Sequence, residues 1–91
     1  MSEQEIKQIY GEDWVPIDVT YPPKPEGIDV RNRSLLPIYQ VTVDFISYDN
    51  ERVYETRCAK WNGKQFIWCE NGAYLTSSVT AWKFLSEPYN P

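Results

Sequence analysis

Near the start of the chain, apolar residues recur at helical spacing. Ile6, Ile9 and Tyr10 fall three and four apart, with polar residues between them. Ser2 can cap such a helix, and Glu5, three residues later, can reach back to it as a capping box. Gly11 is a natural stop. The pattern predicts a short helix at 3–10. A helix this short does not hold alone in water, so its apolar stripe must pack on something.

Beyond it the period changes. WVPIDV, residues 14–19, reads as a short extended segment. Pro16 cannot donate to a ladder, so any strand here lies at a sheet edge. Residues 20–37, TYPPKPEGIDVRNRSLLP, read as a long Pro-rich loop with an extended run from Tyr21 to Pro25. Loops this long are uncommon inside compact domains and often functional.

From residue 38 the pattern has a period of two. In IYQVTVDFISY, Tyr39, Val41, Val43 and Phe45 share one face, and Gln40, Thr42 and Asp44 the other. Asp49-Asn50 supplies a turn. RVYETRCAKW, residues 52–61, is the next strand, and KQFIWC, residues 64–69, the return strand. Asn71-Gly72 is a further turn. VTAWKFL, residues 79–85, is the last strand, closed by Glu87-Pro88, with Trp82 and Leu85 held in the core. The expected architecture is α+β and mostly β. It is one domain over 1–91, with a small antiparallel meander over 38–85, one N-terminal helix and the loop.

Asn62-Gly63 favours a two-residue type I′ turn. That turn pairs Trp61 with Lys64, Ala59 with Phe66, Arg57 with Trp68 and Glu55 with Glu70. On the other face it sets Cys58 opposite Ile67, and Thr56 opposite Cys69. Trp61, Phe66 and Trp68 then share a face, with Arg57 able to lie over Trp68. The other face carries Tyr54, Cys58, Ile67 and Cys69. Two apolar faces require cover on both sides or a partner on one. In this register Cys58 and Cys69 are diagonal, which would strain a disulfide, so they read as buried free thiols.

Aromatic content is 15%, high enough to supply both a core and a binding face. Trp61, Phe66 and Trp68, with Arg57, are the candidate partner-binding residues. Net charge is −4, which argues against whole-surface binding to nucleic acid or anionic membrane. Residues 1–29 hold seven acids (Glu3, Glu5, Glu12, Asp13, Asp18, Glu26, Asp29) against Lys7 and Lys24. The remainder is nearly neutral. An acidic patch for a basic partner, or a partial DNA mimic, is one reading of that asymmetry. A weak nucleic-acid site at Arg31, Arg33, Arg57 and Lys60 is another.

The sequence contains no histidine, which removes Ser-His-Asp and Cys-His catalysis and most metal sites. The glycines are scattered singly, so no phosphate-cradling loop is visible. No catalytic residue, cofactor or metal is therefore assigned. No apolar run has the length of a membrane span, and no signal peptide is visible, so the expected location is cytoplasmic.

VTAWKFLSEP resembles the C-terminal signature of domain-of-unknown-function family 551, whose members end close to V-T-H-W-M-P-L-P-E-P. Val79, Thr80, Trp82, Leu85, Glu87 and Pro88 match it; Ala81, Lys83, Phe84 and Ser86 depart. Trp14-Val15-Pro16-Ile17, IYQVTV and RVYETRCAKWNGKQF resemble its earlier segments in the same order, over roughly 14–88. The resemblance implies a small β-rich fold and a phage or prophage origin. It supplies no activity and no catalytic residues. The expected function is that of a non-enzymatic phage or mobile-element accessory protein. It would act by contact with a protein, such as a host defence or regulatory factor in the host cytoplasm. A nucleic-acid-related module and a self-associating structural protein, including a homodimer, are the alternatives.

Overall fold

The computed structural model describes residues 2–85. The helix α1 spans Glu3–Tyr10. The Ser2 hydroxyl accepts from the Glu5 amide at 3.2 Å and donates to the Glu5 carboxylate at 3.1 Å. This is a capping box in which the acid binds the cap's hydroxyl rather than its backbone amide. Gly11 ends the helix at φ 58°, a left-handed conformation open to glycine, and its amide donates to the Lys7 carbonyl. Ile6 is fully buried and Tyr10 packs beside the core, one turn apart on the same side. Ile9 departs from the predicted stripe and faces water. The helix touches the sheet along a narrow line, and Ile9 falls off it.

Five strands form one antiparallel sheet: β1 (Val15–Pro16), β2 (Ile38–Ile46), β3 (Arg52–Trp61), β4 (Phe66–Trp68) and β5 (Val79–Phe84). Their order is β1-β5-β2-β3-β4. The α+β, mostly β architecture is as the sequence predicts. The meander holds for β2-β3-β4, and β1 with its proline is an edge strand. β5 does not extend the meander beyond β4; it inserts between β1 and β2. The last described strand is therefore a central one.

β5 also carries an extra residue. Val43 lies opposite Val79, but Thr42 lies opposite Ala81 and Val41 opposite Trp82. Thr80 is the bulge between them. It switches the core-facing set from Val79 to Trp82 and Phe84, which strict alternation would put on opposite faces. The Thr80 carbonyl accepts from the Ile17 amide at 3.0 Å, which helps hold β1 alongside. Trp82 is fully buried between Val15 and Val41, with Tyr39 and Phe84 edge-on at 5.2 and 5.1 Å. Leu85, predicted in the core, is 40% exposed, because β5 ends one residue before it. Glu87-Pro88 lies outside the described residues.

Among the described residues, one face of the sheet is covered and the other is open. α1 covers the β5–β2 half of the core face. The Pro-rich loop covers the β3–β4 half: Tyr21 stacks on Trp61 at 5.3 Å and 11°, and Pro22 and Leu36 are buried. A 3-10 turn at Arg33–Leu35, capped by the Asn32 side chain, brings the loop back to β2. On the open face Tyr54, Thr56 and Cys58 are exposed, while Gln40, Thr42 and Lys60 are half-buried. Of the predicted apolar set there, Ile67 alone is buried. Cys58 and Cys69 are free, as expected, but exposed rather than buried, because nothing among the described residues covers them.

Trp82 makes the largest buried contribution at the centre of the sheet. Trp82→Ala should cost about 3–5 kcal/mol of unfolding free energy, read by urea titration. Truncation after Ser78 removes the strand that joins β1 to β2, and should abolish the cooperative transition altogether.

Candidate binding cleft

The β3–β4 turn is centred one residue later than the sequence predicts. A type I′ turn needs positive φ at both central residues. Gly63 has φ 96°, but Asn62 does not adopt a positive φ. Instead the Asn62 side-chain oxygen accepts from the Lys64 and Gln65 amides at 2.9 and 2.7 Å, and its backbone amide donates to the Gln65 carbonyl. The loop is Gly63-Lys64. Trp61 pairs with Phe66, Lys60 with Ile67 and Ala59 with Trp68. Every predicted cross-strand pair moves by two positions. A shift of two preserves the faces, so Trp61, Phe66, Trp68 and Arg57 still share one.

The structure divides these four. Trp61 is 3% exposed and Phe66 fully buried, their rings 4.6 Å apart beneath Tyr21. The expectation that they present rings to a partner is corrected: the Pro-rich loop has roofed them over. Trp68 and Arg57 stay half-exposed, with the guanidinium over the indole at 5.7 Å. Arg57 also pairs with the Glu55 carboxylate.

Arg57 and Trp68 form part of a cleft of about 260 Å³ where the cover of the core face runs out. Val43, Phe45, Glu55, Leu75 and Ser78 complete it. Its walls are mostly apolar, and the Glu55–Arg57 pair and Ser78 are its polar groups. Such a concavity suits one apolar or aromatic side chain beside a hydrogen-bonding group.

The cleft opens beside a projecting ribbon. β5 pairs with β2 only as far as Val43, and β4 pairs with β3 only from Ala59. Residues 44–54 therefore extend past their neighbours as two strands. Ser47 and Glu51 close the tip, with Asn50 at φ 59°. Phe45 (40% exposed), Ile46 (67%), Tyr54 (59%) and the fully exposed Tyr48 lie on it. Toward the β4 side, β3 residues 52–57 face no strand among the described residues. Period-two alternation from Cys58, whose carbonyl accepts from Cys69, turns the backbone groups of Tyr54 and Thr56 to that open edge.

Sequence reasoning missed Phe45 and the ribbon. Two signals were present: Phe45-Ile46 places apolar residues on both faces in succession, and Glu55 and Arg57 occupy core-facing positions. Charges at core parity mark where the cover ends.

A larger groove of about 620 Å³ lies between the loop and the start of α1, lined by residues that include Glu3, Pro23, Lys24, Leu35 and Tyr39. Its titratable phenol is held protonated: burial first, and then the Glu3 carboxylate, push Tyr39 up to about 12. That removes it from acid–base work near neutrality. The basic residues considered for nucleic acid do not converge. Arg31 pairs with Asp29, and Arg33 donates to the Gly72 carbonyl and lies over Tyr74. No helix among the described residues is long and apolar enough to cross a membrane. Comparison with protein-family models, curated proteins and solved structures finds no match for this chain.

Two outcomes follow. Trp61→Ala should unfold or severely destabilise the protein, by roughly 3–5 kcal/mol, whereas Trp68→Ala should leave it folded with a smaller loss; circular dichroism with urea titration separates them. For Tyr39, the folded pKa lies above the unfolded value of 10.0. The folded state then holds more protons between the two, so its contribution is complete below pH 10 and is lost as pH rises towards 12. Tyr39→Phe should flatten that fall when stability is measured across the alkaline range.

Proposed function

We propose that this protein is a non-enzymatic binding module of phage or mobile-element type. It engages an extended segment of a protein partner along the ribbon, seating one apolar side chain in the Phe45–Trp68 cleft. The observation that carries this reading is the coincidence of two features. A mostly apolar cleft with one ion pair lies beside an open strand edge. A segment adding to the Tyr54–Thr56 edge would alternate its side chains, one of them directed toward Glu55, Arg57 and Trp68. Main-chain bonds would supply affinity and the cleft would supply selectivity. The resemblance to family 551 supports the phage origin, and stoichiometric inhibition of a host defence or regulatory factor fits a chain of this size.

A second reading is favoured by the same edge. Two copies could pair β3 to β3, giving a self-associating protein. The nucleic-acid reading has less support, since Arg31 and Arg57 each face a carboxylate.

The test uses immobilised wild-type protein beside Trp68→Ala and Phe45→Asp, with host lysate and mass spectrometry, after both variants are shown to fold. A protein retained by the wild type and lost from both variants is the expected result. Equal retention by all three would remove the cleft from the reading. Light scattering over a concentration series should report a monomer; a dimer weakened by Thr56→Pro would favour strand pairing between copies.

A further inference from the structure

The Gly63-Lys64 loop also decides what faces what further along the hairpin. The ladder runs Trp61–Phe66, Lys60–Ile67, Ala59–Trp68. One further step sets Cys58 opposite Cys69, where the predicted turn would have set Thr56. The paired ladder ends at Ala59–Trp68, and one bond continues it: the Cys69 amide donates to the Cys58 carbonyl at 3.4 Å, which makes the two residues neighbours across the hairpin. Opposed residues of antiparallel strands have Cα atoms about 4.5–5.5 Å apart, inside the roughly 4.4–6.8 Å that a disulfide spans. Opposed residues share a face, here the open one. Both cysteines are free and exposed. Both line one hollow of about 320 Å³, with Gln40, Thr56, Arg57 and Trp68. The Cys69 thiol is pushed up by burial first and by Cys58 next, with Lys60 opposing and Glu70 adding; the influence of Cys58 is a second sign of their closeness.

We propose that Cys58 and Cys69 form a cross-strand dithiol that exchanges with small-molecule disulfides to give a reversible intramolecular disulfide on the open face of the sheet. The steps balance. One cysteine releases its proton to water, and its thiolate attacks a sulfur of the small disulfide. A protein–small-molecule disulfide forms, the original S–S bond breaks, and one small thiolate leaves. The second cysteine, deprotonated in turn, attacks the protein-bound sulfur. The Cys58–Cys69 bond forms and the second small thiolate leaves, each small thiolate taking up a proton. Two protein thiols are oxidised and one small disulfide is reduced to two thiols. The hollow admits the reagent, and direct opposition lets the second attack proceed without strand separation. The new bond staples the end of β4 to β3, beside Arg57 and Trp68.

The test uses the full chain, reduced, freed of reductant and exposed to oxidised glutathione. Products are alkylated, then read by intact mass and non-reducing electrophoresis. The expected product is a monomer about 2 Da lighter than the reduced chain, with both thiols blocked together and both restored by dithiothreitol. Cys58→Ser should instead stop at a stable glutathione adduct on Cys69, and Cys69→Ser at one on Cys58. The oxidised wild type should show a raised Tm that neither variant shares. Stable adducts on both wild-type thiols, covalent dimers, or no reaction would each overturn the proposal.

Discussion

Inside the core, the Trp82 indole N–H donates to the Thr20 carbonyl at 2.9 Å. The bond satisfies a donor that, unpaired away from water, would cost about 1–3 kcal/mol; the buried Trp61 indole N–H has no such partner among the described residues. This bond joins the middle of β5, an internal strand, to the first residue of the Pro-rich loop. From that anchor the chain runs over the core face, and Tyr21, the next residue, stacks on Trp61. The loop thus acts as half of the second layer, which α1 is too short to supply. Without Trp82 the loop loses this anchor, and its origin is left to the Val19 and Thr20 amides that donate to the Pro16 carbonyl.

The cover is also finite, and its limit creates the candidate site. α1 reaches Tyr39, Trp82 and Phe84; the loop reaches Trp61 and Phe66; Leu75 packs at the margin of the core. Beyond Val43 the core-facing side of β2 and β3 has no layer above it among the described residues. Phe45 is left part-exposed there, and the Glu55–Arg57 pair occupies positions that would otherwise need apolar residues. The charged pair keeps that end of the sheet compatible with water, while Trp68 and Phe45 leave apolar surface beside it.

Much of the architecture was legible in local signals. Ser2, Glu5 and Gly11 bound the helix because capping is satisfied within a few residues. Alternation located β2 and β3 to within a residue or two, and Pro16 marked an edge. The candidate site was legible only in part. Arg57 and Trp68 were found through the shared face of the hairpin, which survives a register error of two. Trp61 and Phe66, candidate partner-binding rings by sequence, are core residues, since burial of a ring depends on what crosses above it. Nothing in the composition of residues 20–37 says where that loop lies.

The sequence by itself determined the elements and most of their faces. These depend on side-chain period, caps and residue types, all properties of near neighbours along the chain. Tertiary structure decided three further things: the insertion of β5 between β1 and β2, the Thr80 bulge that gathers Val79 and Trp82 on one face, and the register that sets Cys58 against Cys69. Each is a choice between pairings of nearly equal local energy. Asn62-Gly63 could have turned one residue earlier at little local cost. The Asn62 side chain holds the later turn, and the register it fixes is the one in which Trp61 pairs with Phe66 beneath Tyr21. Long-range burial selects among local alternatives, and the positions of the cleft and the dithiol are products of that selection.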